Sequence, residues 1–283
     1  MDKEPILWIE RFSVFQRFIH LLIILSFITL AVTGMALKFA IEDWAQWIAY
    51  TSGGFAVLGA LHRFCAVITF FYFFLTMILL YTKWRDSGQS IFGFLLDPEG
   101  LVPNLNDAKE LIATVKWFFG GKRPYYGRWI YWEKFDFMAV FWGIAVIGGS
   151  GLALWFPVQF SKFFPGYWLN IATIIHSDEA LLAAGFIFTI HFYNTHLRPE
   201  KFPLDPVIFV GSIPVSELQH ERPREYDQLI ETGELAKLAT RRAPEAWLRR
   251  LSAVFGITIV SFGSILIVSI IVTMLKYIQH GMH

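Results

Sequence analysis

Five separate runs of this chain, roughly 14 to 37, 54 to 82, 135 to 156, 168 to 197 and 251 to 276, are apolar over about the 20 residues that a helix needs to cross a bilayer. Only 17% of the 283 residues are charged and 55% are hydrophobic, whereas a soluble domain carries about 25% charged residues. An all-α integral membrane protein is expected, a transmembrane helical bundle with five spans. The net charge of +1 leaves no basic excess for nucleic acid, which excludes that class of partner. The single cysteine, Cys65, excludes an intrachain disulfide, a four-cysteine zinc or iron-sulfur site and the C-x-x-C-H attachment of haem. It reads as a small buried hydrophobe. Metal chemistry would therefore rest on the eight histidines.

Lysines and arginines give the expected orientation, because cytoplasmic loops retain them. The N-terminal flank holds Lys3, Arg11 and Arg17, the loop from Lys83 to Lys134 holds eight and that from Arg198 to Arg250 holds nine, against four on the other side. This places the N-terminus in the cytoplasm and the C-terminus, with His280 and His283, outside. The first run is longer than the apolar part of a signal peptide and has no A-x-A-like site after it, so it is expected to stay in the mature chain. The chain divides into a core over 1–200, a cytoplasmic loop or cap over 201–250, and a fifth span with an outer C-terminus over 251–283. Within the first long loop, Asp107 to Phe119 reads as an amphipathic helix lying along the membrane surface and ended by Gly120-Gly121. The second is broken by prolines, then becomes helical in pattern around Glu221 to Lys237. Tryptophans such as Trp8, Trp44, Trp84 and Trp168 cluster near span ends, as interface anchors do.

An ionisable side chain inside a bilayer is costly unless paired, and so marks a functional candidate. Four histidines qualify. His20 lies toward the cytoplasmic end of the first span and His62 toward the outer end of the second. The fourth span runs inward from outside, so His176 is level with His62, and His191, roughly 22 Å further along the axis, is level with His20. At about 100° per residue, the two histidines of the fourth span project from broadly one face. Two stacked pairs are what two bis-histidine b haems require, one imidazole on each face of each iron. Gly34 would stand near the outer pair, as would Gly148, Gly149 and Gly151, leaving room for a flat ring. Arg17 and Arg63 are cations suited to haem propionates.

His196 is turned about 200° from His176 and is a poorer ligand by angle than His191. With Tyr193, Asn194 and Arg198 it gathers polar groups at the cytoplasmic end of the fourth span, where a quinone ring would find hydrogen-bond donors and a proton route. Glu133, Lys134 and Asp136 add ionisable groups at the start of the third span. Plainer roles exist for each of these. Membrane histidines also hydrogen-bond neighbouring helices and membrane glycines serve helix packing. Arginines at span ends snorkel, and polar residues there terminate helices. Four histidines at two matched depths favour ligation.

The run Arg17-Phe18-Ile19-His20 with Thr33-Gly34, then Leu61-His62-Arg63, Ile175-His176-Ser177-Asp178-Glu179-Ala180 and Ile190-His191-Phe192-Tyr193, resembles the di-haem cytochrome b subunits of respiratory formate dehydrogenase, nickel-iron hydrogenase and thiosulfate reductase. The likeness covers roughly residues 8 to 200. It implies His62 with His176 and His20 with His191 as the ligand pairs of two b haems. It also implies electron exchange between an outer redox partner and a quinone, such as menaquinone, on the cytoplasmic side of a bacterial inner membrane. The chain departs from the formate dehydrogenase subunit in having a fifth span, and in reading Trp132-Glu133-Lys134 where that subunit begins its third span with an Asn-x-x-Gln-Lys-like pattern. The stretch from His196 to Pro203 is similar to a subgroup associated with periplasmic multihaem cytochromes c, which implies a partner of that kind, whereas the wider family resemblance implies an iron-sulfur or catalytic subunit.

The expectation is thus a four-helix haem-binding core plus one C-terminal span, acting as an electron-transfer subunit of a quinone-dependent complex. A histidine-lined transporter of divalent metal is the alternative, although it would be expected to add carboxylates along a path through the spans. A cofactor-free anchor would explain the hydrophobicity but not the matched histidines.

Overall fold

The computed structural model describes residues 6–280, so Lys3 and His283, which entered the charge count and the surface assignment, lie outside the described residues. Five helices are long and apolar enough to cross a membrane: Val14–Lys38, Phe55–Ser87, Tyr131–Trp155, Tyr167–Leu197 and Ala246–His280. Each contains or closely matches an expected run, and several extend beyond it because polar residues prolong the helix past the apolar stretch. The protein is an all-α membrane protein with almost no strand.

Local chemistry sets the helix ends. The Ser13 Oγ accepts from the Gln16 backbone N–H at 3.3 Å and the Gln16 side chain accepts in return from the Ser13 N–H at 2.9 Å, satisfying two donors at the start of the first span. The short helix Asp43–Ser52 is closed by Gly53 at φ +96°, followed by Gly54 at φ +99°, a left-handed pair that turns the chain into the second span. The third and fourth spans are not uniform. π-helical winding occupies Ile144–Gly148 in the third, and Ile187–His191 and Tyr193–Leu197 in the fourth.

Internal contacts divide the chain into two units. One comprises Ile19–Thr76, Val140–Leu204 and Phe255–His283, and contains most of the spans. Its largest buried cluster joins the first, fourth and fifth spans through Ala31, Met35, Phe188, Phe192, Leu266 and Ile270. The fifth span is therefore part of the packed interior. Its Gly263 lies directly against the Phe188 and Phe192 rings, and a Cβ there would come within 2.7 Å of Phe188 and 2.8 Å of Phe192. Toward the C-terminal end of the first span, Trp44 Nε1 donates to Thr273 Oγ1 at 3.0 Å, and Lys38 bridges Ser177 and Asp178 at 3.0 and 2.9 Å.

The other unit comprises Met1–Phe18, Met77–Ala139 and Asp205–Val254. The 201–250 cap expected from sequence is thus joined by the N-terminal segment and the first long loop. Strand β1, Trp8–Glu10, pairs antiparallel with β2, Ser212–Pro214, in a register that sets Ile9 opposite Ile213. Both pack with Leu218 in a small apolar core. The helical stretch expected at 221 to 237 is three helices, Val215–Glu221, Pro223–Glu231 and Glu234–Leu238, interrupted where Arg222 precedes a proline and where Gly233 takes φ +69°.

The polar interior of this unit is built from ion pairs. Arg11 and Arg128 share Glu225 at 2.7 Å each, Arg222 meets Glu133 at 2.7 Å, Arg224 meets Glu110 at 3.2 Å, and Lys134 meets Asp107 at 3.0 Å. Lys134 is 1% exposed and also donates to the Pro98 carbonyl at 3.1 Å, so its charge is met from two sides. Breaking such a buried pair by removing one partner costs about 3–5 kcal/mol. Burial pushes the Glu110 carboxyl up from the ordinary range, against the opposing pull of Arg224. It pushes Tyr126, whose hydroxyl lies 2.6 Å from that of Thr114, up to about 12.

Candidate histidine site in the spans

His62 and His176 meet. The His62 and His176 ring centroids are 6.1 Å apart with the ring planes at 77°. A metal–imidazole nitrogen bond is about 2 Å long, so two such bonds and the depth of two rings fill a gap of this order.

The hydrogen bonds around these rings select the nitrogen left over. His176 Nδ1 lies 2.9 Å from the Ile147 carbonyl, which only accepts, so Nδ1 carries the proton. Ile147 lies in the π-helical turn of the third span, where the wider winding alters the usual carbonyl ladder. His62 Nδ1 is 2.9 Å from Thr33 Oγ1, and the Thr33 hydroxyl proton is directed to the Thr29 carbonyl at 2.6 Å. Thr33 thus acts as acceptor for His62. In both rings Nε2 keeps its lone pair, which is the arrangement of an imidazole oriented by its other nitrogen to bind a metal.

Glycine makes the space. A Cβ at Gly34 would sit 3.1 Å from His62 Cε1, and one at Gly151 would sit 2.9 Å from His176 Cε1. Gly148 instead abuts Phe70, and a Cβ at Gly149 would meet nothing within 4 Å. Of the third-span glycines suggested by sequence, Gly151 is the one against a histidine.

Near the N-terminal end of the first span, His20 lies within electrostatic reach of both His191 and His196. The His20 Nδ1 is buried and has no hydrogen-bond partner among the described residues. His196 is drawn in by winding that the sequence does not announce. His191 closes one π-helical segment and His196 lies in the next, and i→i+5 winding brings residues five apart onto adjacent turns. The argument from 100° per residue, which turned His196 away, does not apply across these segments. Phe192 lies between the two, its ring centroid 6.4 Å from His191 and 6.2 Å from His196.

The other named residues fall in varied surroundings. Tyr193 is exposed, and Asn194, His196 and Arg198 are half-buried, all at one end of the fourth span. Arg63 is exposed and pairs with no carboxylate among the described residues, while its guanidinium lies along Gly59. Arg17 donates to the Phe209 carbonyl at 2.9 Å and packs against Gly211. Glu133 and Lys134 are engaged in the ion pairs described above. Cys65 is free and buried.

Sequence reading missed Thr33 and the Ile147 carbonyl as orienting groups. Thr33 was visible only as a neighbour of Gly34, and no side chain signals a backbone carbonyl. Among the described residues, no three His, Cys, Asp or Glu side chains are grouped as a metal site. Compared with models of known families and with curated proteins, the chain matches none.

Proposed function

We propose that this protein is a membrane cytochrome b, holding two b haems between histidine pairs and exchanging electrons between a quinone and a redox partner on the outer face of a bacterial inner membrane. The observation that carries the reading is the outer pair: two near-perpendicular imidazoles 6.1 Å apart, each with Nδ1 bound to an acceptor, and each faced by a glycine. His62 and His176 would hold one group. His20 with His191 would hold the other.

A bound b haem supplies one-electron transfer. The residues of the chain do the rest. Thr33 and the Ile147 carbonyl fix the rings and raise their basicity, and apolar side chains around them keep water out. Arg63 offers a cation near the outer pair, and Arg17 one at the inner end of the first span. Tyr193, Asn194, His196 and Arg198 would bind a quinone ring at the cytoplasmic end of the fourth span, with His196 and Tyr193 able to move protons to its oxygens. The distribution of lysine and arginine supports a cytoplasmic N-terminus.

A reduced-minus-oxidised visible spectrum of the purified protein, with haem extracted and counted per chain, tests the reading. Two non-covalent b haems with low-spin bands are expected, and His62→Ala or His176→Ala should lower the count by one. A protein with no haem, or with its haem unaffected by these substitutions, would overturn it.

A further inference from the structure

The helix Leu105–Phe118 is turned the opposite way from a helix on a water-soluble protein. Its two acidic residues point inward. Asp107 is 7% exposed and paired with Lys134, while Glu110 is 8% exposed and paired with Arg224. Its large apolar residues point outward, Ile112 at 56% and Phe118 at 69% exposed, with Leu105, Leu111, Val115 and the capping Phe119 also open. At about 100° per residue these six occupy a single arc of roughly 140°. Lys109 and Lys116, both exposed, stand together along one edge of it.

The charges give the surface its sign. With both carboxylates withdrawn and neutralised, the outward charges of the helix are the two lysines. An apolar arc bordered by lysine suits the boundary between acyl chains and anionic headgroups. The Asn104 capping box fixes the rotation, since Asp107 both accepts from the Asn104 N–H at 2.6 Å and pairs with Lys134 at the start of the third span. We infer that the outer face of Leu105–Phe118 is an anionic-lipid-binding surface, seated in the headgroup region of the leaflet with Lys109 and Lys116 on lipid phosphates. This surface is independent of the haem reading.

The test uses the full chain in nanodiscs of phosphatidylglycerol mixed with phosphatidylcholine, or of phosphatidylcholine alone. Spin labels at Ile112→Cys and Val115→Cys, in a Cys65→Ser background, should collide more with oxygen than with a water-soluble nickel chelate, and a label at Lys109→Cys should do the reverse. Labels at 112 and 115 open to the chelate in both lipids, or closed to both reagents under a protein cover, would overturn the inference. The unsubstituted protein gives a second reading. Trypsin should cut after Lys109 and Lys116 about fivefold or more slowly with the anionic lipid, a factor matching one lysine at a charged surface, and equal rates would count against the proposal. Lys109→Gln with Lys116→Gln should abolish the lipid preference measured by the 112 and 115 labels and leave the haem count unchanged.

Discussion

At the level of single residues, Thr33 does the least visible work. Its hydroxyl proton is committed to Thr29, which leaves its oxygen to accept from His62. Thr33→Val keeps the shape and removes the acceptor, and loss of such an outer hydrogen bond typically weakens metal binding by about 10- to 100-fold. If the proposed haems are bound, titration of extracted protein with haem should show that loss at the His62–His176 site, with the other site unchanged. Glu110 contributes to the pH dependence outside the spans. Burial raises its carboxyl, so its folded value lies above its unfolded one. Its contribution to stability is full below the ordinary carboxylate range and is lost as pH rises through the raised value. Glu110→Gln should therefore gain in melting temperature relative to the wild type as pH rises from acid to neutral, and a difference constant with pH would contradict the assignment. The histidines were conspicuous in the sequence because a bilayer makes every ionisable group costly, and Gly34 because it falls at the level of His62. Glu133 and Lys134 were read as part of a quinone level, yet they are spent in ion pairs, since their partners Arg222 and Asp107 lie far away in sequence and only folding brings them together.

Among the elements, the spans were readable almost to their ends, because twenty apolar residues have few other fates in a membrane. The π-helical segments were not. They leave no mark in hydropathy, and they decide whether His196 faces the same way as His191. Gly263 of the fifth span is where this winding is braced, since its missing side chain admits the Phe188 and Phe192 rings. Gly263→Val should cost about 1–3 kcal/mol by overpacking. If the proposed haems are bound, it should also alter the electron paramagnetic resonance signal of the His20–His191 site and leave that of the His62–His176 site intact, whereas an equal disturbance of both would mean a general loss of packing. The β1–β2 pairing was likewise hidden, since three-residue strands some 200 residues apart carry no local signature.

For the whole molecule, the odd number of spans predicts termini on opposite sides of the membrane. Reporter fusions should place the N-terminus in the cytoplasm and the C-terminus outside, and fusions reporting the same side would remove the basis for assigning inner and outer histidines. The charges at the end that carries Lys38 also bear on how the proposed redox partner would arrive. Glu42 lies 3.7 Å from Lys276 and Asp178 lies 2.9 Å from Lys38. Both of these lysines thus meet a carboxylate of the same chain. Opposite charges that neutralise one another on their own surface project little field into solution, and so give little long-range steering. On the proposed function, an electron carrier docking at this end should thus find the protein by unguided diffusion and hold it through apolar contact, with an association rate that barely changes as salt is added.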